Sequence, residues 1–264
     1  MNIEKLNVEI TRKCTLDCEH CFRGDSQKIN ISNETLINIF TNIKEIEQLV
    51  ITGGEPLIAI NKLEKVIELI KNNNVKIDKI VLITNGTILS SRILKILKDL
   101  AQISKLDLKI SFDIFHQLEL ERKGLKDKRD KNVKFLKENL GAEEYFSENE
   151  ESKFPFTLQP LGRVKKLNKE RLKEINSIAF KKYKIMPFVT WISPMCYYKN
   201  SKLCGDISID ANGNIVKYGL SFEDEDKYSI NLDTNINIHG FRSAIDNFIE
   251  KEKNIDNFEI SKIK

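Results

Sequence analysis

The sequence predicts an α/β fold laid out around a parallel sheet. Short β-branched runs alternate with longer amphipathic stretches as far as residue 191, and the apolar residues of those stretches fall at helical spacing. The alternation breaks down near Met195. A strand–helix–strand rhythm makes neighbouring strands parallel and their crossovers right-handed. It gathers the loops that follow the strands at one edge, where ligands belong.

Residues 6–11 read as the first strand. Residues 33–44 read as a helix with Leu36, Ile39, Phe40 and Ile43 on one face and Ser32 or Asn33 as its N-cap. The second strand is 48–52, and residues 62–72 follow as a helix with Leu63, Val66, Ile67 and Ile70 inward. The third strand is 79–84. Ser90 or Ser91 then caps a helix carrying Ile93, Leu94, Leu97 and Leu100. The fourth strand is 106–113, with a helix near 130–140. Residues 141–153 are acidic and aperiodic, which predicts an exposed loop. Strands five and six are 156–159 and 185–191, separated by a long helical pattern at 168–183. Beyond 195 the runs 206–210 and 214–218 flank Ala211-Asn212-Gly213, a hairpin signal, and a helix follows at roughly 240–252. The expected division is a core over 1–195 and a small α+β appendage over 196–264.

Hydrophobic residues make up 41% of the 264, enough for a sizeable core. Lys and Arg number 43 against 39 Asp and Glu, and both signs are interspersed, so the charge reads as a solvated surface and gives no nucleic-acid signal. No run approaches the roughly 18 apolar residues of a membrane span, and residues 1–7 lack a signal-peptide core; a cytoplasmic location is expected. Thiols in that reducing compartment serve as ligands or catalysts more often than as disulfides, and an odd total of five cysteines fits no simple disulfide framework.

Cys14, Cys18 and Cys21 crowd one polar loop directly after the first strand. Soft thiolates select zinc, copper(I) or iron–sulfur clusters. A structural zinc site needs a fourth ligand, which His20 or a distant cysteine would supply. A cubic cluster on three thiolates leaves one iron open to a ligand.

The spacing CxxxCxxC, with His20 just before the third cysteine, resembles the signature of the radical S-adenosylmethionine (SAM) superfamily. The resemblance implies a partial (β/α)6 TIM-like barrel and one [4Fe–4S] cluster on Cys14, Cys18 and Cys21. It also implies SAM chelated at the open iron and a 5′-deoxyadenosyl radical that abstracts hydrogen from a substrate. An electron donor such as flavodoxin or ferredoxin is implied, and His20 would help cover the cofactor. Gly53-Gly54-Glu55-Pro56 after the second strand is by itself a turn; it resembles the family's GGEP motif, which assigns Gly53, Gly54 and Glu55 to the methionyl amino group. Thr84-Asn85-Gly86 matches a tripeptide that the family often has near the cofactor. Period-two geometry puts Ser111 and Asp113 on one face of the fourth strand, and a matching Ser-x-Asp contacts SAM in the family. Gln159, at the end of the fifth strand, is a candidate of the same kind. Arg122, Arg129 and Arg163 compete to meet a carboxylate.

The run from Cys204 to Tyr218 resembles a SPASM or twitch extension, which in peptide-modifying relatives carries auxiliary clusters. The pattern wants a cysteine where Tyr218 stands, and Cys196 and Cys204 alone cannot complete a four-ligand site. A degenerate appendage and no auxiliary cluster are therefore expected, with a peptide or protein as substrate by resemblance. Only 13 residues precede the cysteine loop, so no leader-binding domain is expected there, and a small molecule or nucleotide remains an alternative. So do a radical activase of a partner enzyme and a non-catalytic iron–sulfur or zinc protein. His116, Tyr197 and Tyr198 are further candidates to line the cleft.

Overall fold

The structure is a computed structural model that describes residues 1–21, 23–145, 163, 166–168, 170–171, 173–174, 197–199, 201–216 and 233–255. Its strands are β1 (Asn2–Thr11), β2 (Glu45–Gly53), β3 (Lys76–Thr84), β4 (Lys105–Ser111), β5 (Glu143–Tyr145), β6 (Tyr197–Lys199), β7 (Lys202–Ile209) and β8 (Ile215–Val216). Its helices are α1 (Asn33–Asn42), α2 (Ile60–Asn72), α3 (Ser91–Ile103), α4 (Ile114–Arg122), α5 (Lys126–Leu140), α6 (Ile236–His239) and α7 (Phe241–Ile255). A 3₁₀ turn spans Pro56–Ile58.

The strands form one sheet in the order β5-β4-β3-β2-β1-β7-β6, with β8 on β7. β1 to β5 are mutually parallel, β7 runs parallel to β1, and β6 and β8 are antiparallel to β7. This is a mixed α/β architecture with a mainly parallel sheet. Alternation along β1 shows how the sheet is used. Leu6, Val8 and Ile10 enter the main core with Leu49 and Ile51 of β2, Ile80 and Leu82 of β3, and Leu36, Ile39 and Phe40 of α1. Each such side chain contributes roughly 1.5–3 kcal/mol of burial. Lys5, Asn7 and Glu9 occupy the alternate positions. There Lys5 pairs with Asp206 at 2.7 Å, and Asn7 Nδ2 donates to Ser208 Oγ at 3.1 Å.

The helix caps agree with the local sequence. Ser32 Oγ accepts from Thr35 N at 2.9 Å and Ser90 Oγ from Ile93 N at 3.2 Å, which starts α1 and α3.

Several expectations need correction. The fourth strand stops at Ser111, because the Asp113 side chain caps a helix, α4, that lacks a strong amphipathic pattern and was not expected. The stretch after 140 begins with β5, whose three residues pair with the end of β4. β7 hydrogen-bonds along β1, and Leu203, Ile207, Phe241, Ala244 and Phe248 share one apolar cluster with β1 to β4. Periodicity marks a strand without naming its neighbour, so this long-range pairing left no sign in the sequence. The expected strands at 156–159 and 185–191 and most of the helix at 168–183 lie outside the described residues.

Candidate functional site

The loops after β1, β2, β3 and β4 meet at the carboxyl edge of the sheet. The loop after β1 carries Cys14, Cys18 and Cys21, and these thiols are free. The Gly53-Gly54-Glu55 segment zips onto it, with Gly54 N donating to Thr11 O and Glu55 N to Lys13 O, both at 2.7 Å. Glycine is required here. A Cβ on Gly53 or on Gly54 would stand 2.3 Å from the carbonyl oxygen of Thr11 or Lys13, and Gly53 also has φ +151°.

Glu55 is fully buried and turned inward. Oε1 accepts from Leu57 N at 3.0 Å and Thr84 Oγ1 at 2.8 Å, and Oε2 accepts from Asn85 N at 2.7 Å. Burial pushes its carboxyl above the usual range, and these three donors pull back against that rise. Glu55 and Thr84, which the resemblance places near the cofactor, pin the ends of β2 and β3 together through partners inside the protein. Asn85 turns the other way. Its Nδ2 donates to Thr15 Oγ1 at 3.0 Å and approaches Cys14 Sγ at 3.7 Å, and its Oδ1 accepts from Thr87 Oγ1 at 2.7 Å.

α4 builds the opposite wall. Asp113 Oδ1 accepts from Phe115 N and His116 N, while Oδ2 faces His116 Nδ1 at 2.5 Å and His20 Nε2 at 3.3 Å. The His20 ring stacks on Phe115 with centroids 4.4 Å apart, and its Nδ1 is buried without a partner. Burial alone would raise the Asp113 carboxyl, but His116 and His20 outweigh it and hold the group well below the usual carboxylate range. Asp113 thus reaches the site as a helix cap, one element later than a strand position. Glu119, two turns along α4, accepts from Asp17 N at 2.9 Å and ties the middle of the cysteine loop to the same helix. Leu16, Cys18, Ile114, Phe115 and Leu120 form a second small apolar cluster beneath.

Burial pushes the Cys14 thiol up to about 12 and the Cys18 thiol well above its ordinary value, with neighbouring carboxylates and thiols adding to the rise. Two of the three sulfurs therefore sit where a thiolate is costly unless a cation meets it.

The root of the loop is held by an ionic network. Arg12, fully buried, donates from Nε to Glu9 at 2.9 Å and from its two Nη atoms to Gln27 and Asp210, each at 3.0 Å. Burial, and then the Glu9 charge, raise the Asp210 carboxyl to about 6, against the pull of Asn214 and Arg12. On the outer side, Arg163 N donates to Cys21 O at 3.0 Å, and Arg171 clasps Glu19 at 2.7 and 3.0 Å.

The structure therefore brings together Cys14, Cys18, Cys21, His20, Gly53, Gly54, Glu55, Thr84, Asn85 and Asp113. Ser111 sits at the end of β4, where its carbonyl accepts from Arg129 at 3.3 Å. Gln159 and Cys196 lie outside the described residues. Arg122 is 63% exposed on the outside of α4, paired with Glu119, and Arg129 is buried against Glu144 at 2.8 Å, which leaves Arg163 as the competitor beside the cysteines. Tyr198 donates its hydroxyl to Asp246 of α7, away from this edge. Cys204 follows Leu203, the parallel partner of Ile3, about 26 Å of strand below Thr11, so it cannot complete a zinc site with the loop cysteines. Sequence reasoning missed Glu9, Arg12, Glu119, Asp210 and Phe115. The spacing of Asp113, His116 and Glu119 at successive turns would have flagged α4, whereas nothing local links Arg12 to Asp210.

A family model described as the radical SAM superfamily matches residues 8–142. Uncharacterized protein MJ0804 of Methanocaldococcus jannaschii is 36% identical over 95 residues, 36% of this chain and 30% of that protein. GTP 3′,8-cyclase of Clostridium perfringens is 33% identical over 139 residues, 48% of this chain and 40% of that enzyme. The match thus spans well under half the length of these relatives. A solved structure, native anSMEcpe with bound AdoMet and Cp18Cys peptide, aligns with a TM-score of 0.42 at 17% identity over 82% of this chain and 74% of that one. Members of the matched superfamily bind a [4Fe–4S] cluster and SAM. With a match over half of its length, this chain belongs to the radical SAM superfamily.

Proposed function

We propose that the chain is a radical SAM enzyme whose cluster is held by Cys14, Cys18 and Cys21 and whose substrate is a peptide or protein. The observation that carries this reading is the docking of Gly53-Gly54 onto the backbone of Thr11 and Lys13, which sets Cys14 beside the strand-end loop of Asn85.

The residues present fit the cofactors. Three free, largely buried thiols on one loop, two of them resistant to ionisation, form a soft donor set suited to iron and sulfide. His20 offers a flat ring and an unpartnered Nδ1 at the rim. When bound, the cluster and SAM supply the reductive cleavage that yields a 5′-deoxyadenosyl radical, which removes a hydrogen atom from the substrate. The chain's own part is to hold and orient. Glu55 locks the β2 and β3 loops, Asn85 supports Cys14, Asp113 holds His20 flat against Phe115, and α4 covers the cysteine loop and limits water.

Residues 1–195 serve as the catalytic core in this reading, and 196–264 as an extension without a full ligand set for a second cluster. The peptide assignment rests on the resemblance of that extension to a SPASM or twitch module, and a small ferredoxin or flavodoxin supplies the electron. Among the described residues no helix is long and apolar enough to cross a membrane.

Two measurements test the reading. Anaerobic reduction of the reconstituted chain with SAM should release 5′-deoxyadenosine and methionine, and its absence contradicts the reading. Iron should number about four per chain; about eight would mean a second cluster.

A further inference from the structure

We propose that the Arg163 guanidinium is a redox-tuning group for the cluster assigned to Cys21, and that Asp17 and Asp25 set how much of its charge reaches the sulfur. The inference rests on the reading above that Cys21 is a ligand. Arg163 is anchored to the cysteine loop by its own backbone, through the 3.0 Å hydrogen bond from its N to Cys21 O. Its side chain is largely buried, and while burial pulls its pKa down, the neighbouring Cys21 and the Asp25 charge raise it. Two carboxylates flank it without closing on it. Asp17 Oδ1 lies 3.8 Å from Nη1 and Asp25 Oδ1 lies 3.7 Å from Nε, both beyond hydrogen-bonding distance, and Nε is buried with no partner. Asp25 is drawn outward as well, by Lys166 at 3.7 Å. The guanidinium is therefore not neutralised by a bidentate pair, as Arg171 is by Glu19.

A cation held close to a ligating sulfur stabilises whichever cluster state carries more negative charge. That is the reduced state, so the reduction potential rises. Reduction here adds one electron from a chemical reductant and makes or breaks no bond. In a half-buried setting the Coulomb term is far less damped than in water. A group that raised the potential would ease electron delivery from a weak donor. It would also weaken the driving force for cleaving a sulfonium, so its strength has to be balanced, and the two loose carboxylates supply that balance.

The test is a redox titration of the reconstituted chain followed by electron paramagnetic resonance, with iron counted in parallel. Arg163→Gln should lower the reduction equilibrium constant about tenfold, a downward midpoint shift of about 59 mV for one electron. Arg163→Lys keeps the charge without the planar fork and should recover part of that shift. Asp25→Asn removes a flanking negative charge and should move the midpoint upward. Equal iron content with coincident midpoints in wild type and Arg163→Gln overturns the proposal. If Arg163→Gln holds no iron, the comparison passes to Arg163→Lys and Asp25→Asn, and unchanged midpoints in both overturn it. Failure of the underlying reading is distinct: wild type would take up no iron, or Cys21→Ala would bind it as wild type does.

Discussion

Glu55 Oε2 accepts a hydrogen bond from Asn85 N at 2.7 Å, so a carboxylate 30 residues upstream fixes the loop that supports Cys14. Glu55→Gln would set an amide N–H against at least one of the donors that now meet the carboxylate. We expect a loss of about 1–3 kcal/mol in urea unfolding, the cost of a buried group left unsatisfied. Unchanged stability would mean that the loops do not depend on this latch.

Gly54→Ala would place a Cβ 2.3 Å from Lys13 O, against backbone that cannot yield without moving the cysteine loop. Overpacking of this kind costs about 1–3 kcal/mol. Because the displaced segment leads straight into Cys14, iron retained after desalting should fall well below that of wild type. Full iron retention would show that the glycine contact does not position the loop.

Asp210 makes stability depend on pH. Its folded value of about 6 lies above that of an exposed aspartate, first through burial and then through the Glu9 charge. A raised folded value means that the native state holds the proton more tightly than the unfolded chain does. The contribution of Asp210 is therefore complete below about pH 4 and is lost as pH rises through about 6. Asp210→Asn should flatten the stability curve over that window, as read by denaturant unfolding at stepped pH. A slope unchanged in the variant would remove Asp210 as its source.

Two arginines on opposite sides of the cysteine loop should behave differently. Arg12 is 0% exposed and bridges Glu9, Gln27 and Asp210, so Arg12→Ala leaves two buried carboxylates facing each other and should cost about 3–5 kcal/mol. The Arg171 side chain is 34% exposed, and Arg171→Ala should cost at most about 1 kcal/mol, with that difference fading in high salt. Comparable losses in the two variants would contradict the separation between a buried root and a solvated clasp.

Strand and helix positions were legible wherever one face is buried, because apolar periodicity follows burial directly: Leu63, Val66, Ile67 and Ile70 mark α2, and Ile93, Leu97 and Leu100 mark α3. The cysteine loop and the Gly53-Gly54 turn were legible for a different reason, since few other uses need three close thiols or two adjacent glycines after a strand. α4 was obscured because the buried polar residues Gln117 and Glu119 interrupt its apolar ones, so no single stripe shows although Ile114, Phe115 and Leu120 enter one cluster. The parallel pairing of β7 with β1, and with it the bridge from Arg12 to Asp210, was hidden because contacts across about 200 residues leave no local pattern. Residue type marked Glu55 as important without showing its partners inside the chain. Whether a carboxylate faces a ligand or the chain itself depends on donors such as Leu57 N and Asn85 N, which only the fold brings within reach.

The most direct test compares 5′-deoxyadenosine formation by wild type and Cys18→Ala, each reconstituted with iron and sulfide under anaerobic conditions and reduced in the presence of SAM. The account predicts turnover in wild type with about four irons per chain, and no turnover in the variant. Equal rates in the two proteins would contradict it, because the buried sulfur at the centre of the loop would then hold nothing that the chemistry needs.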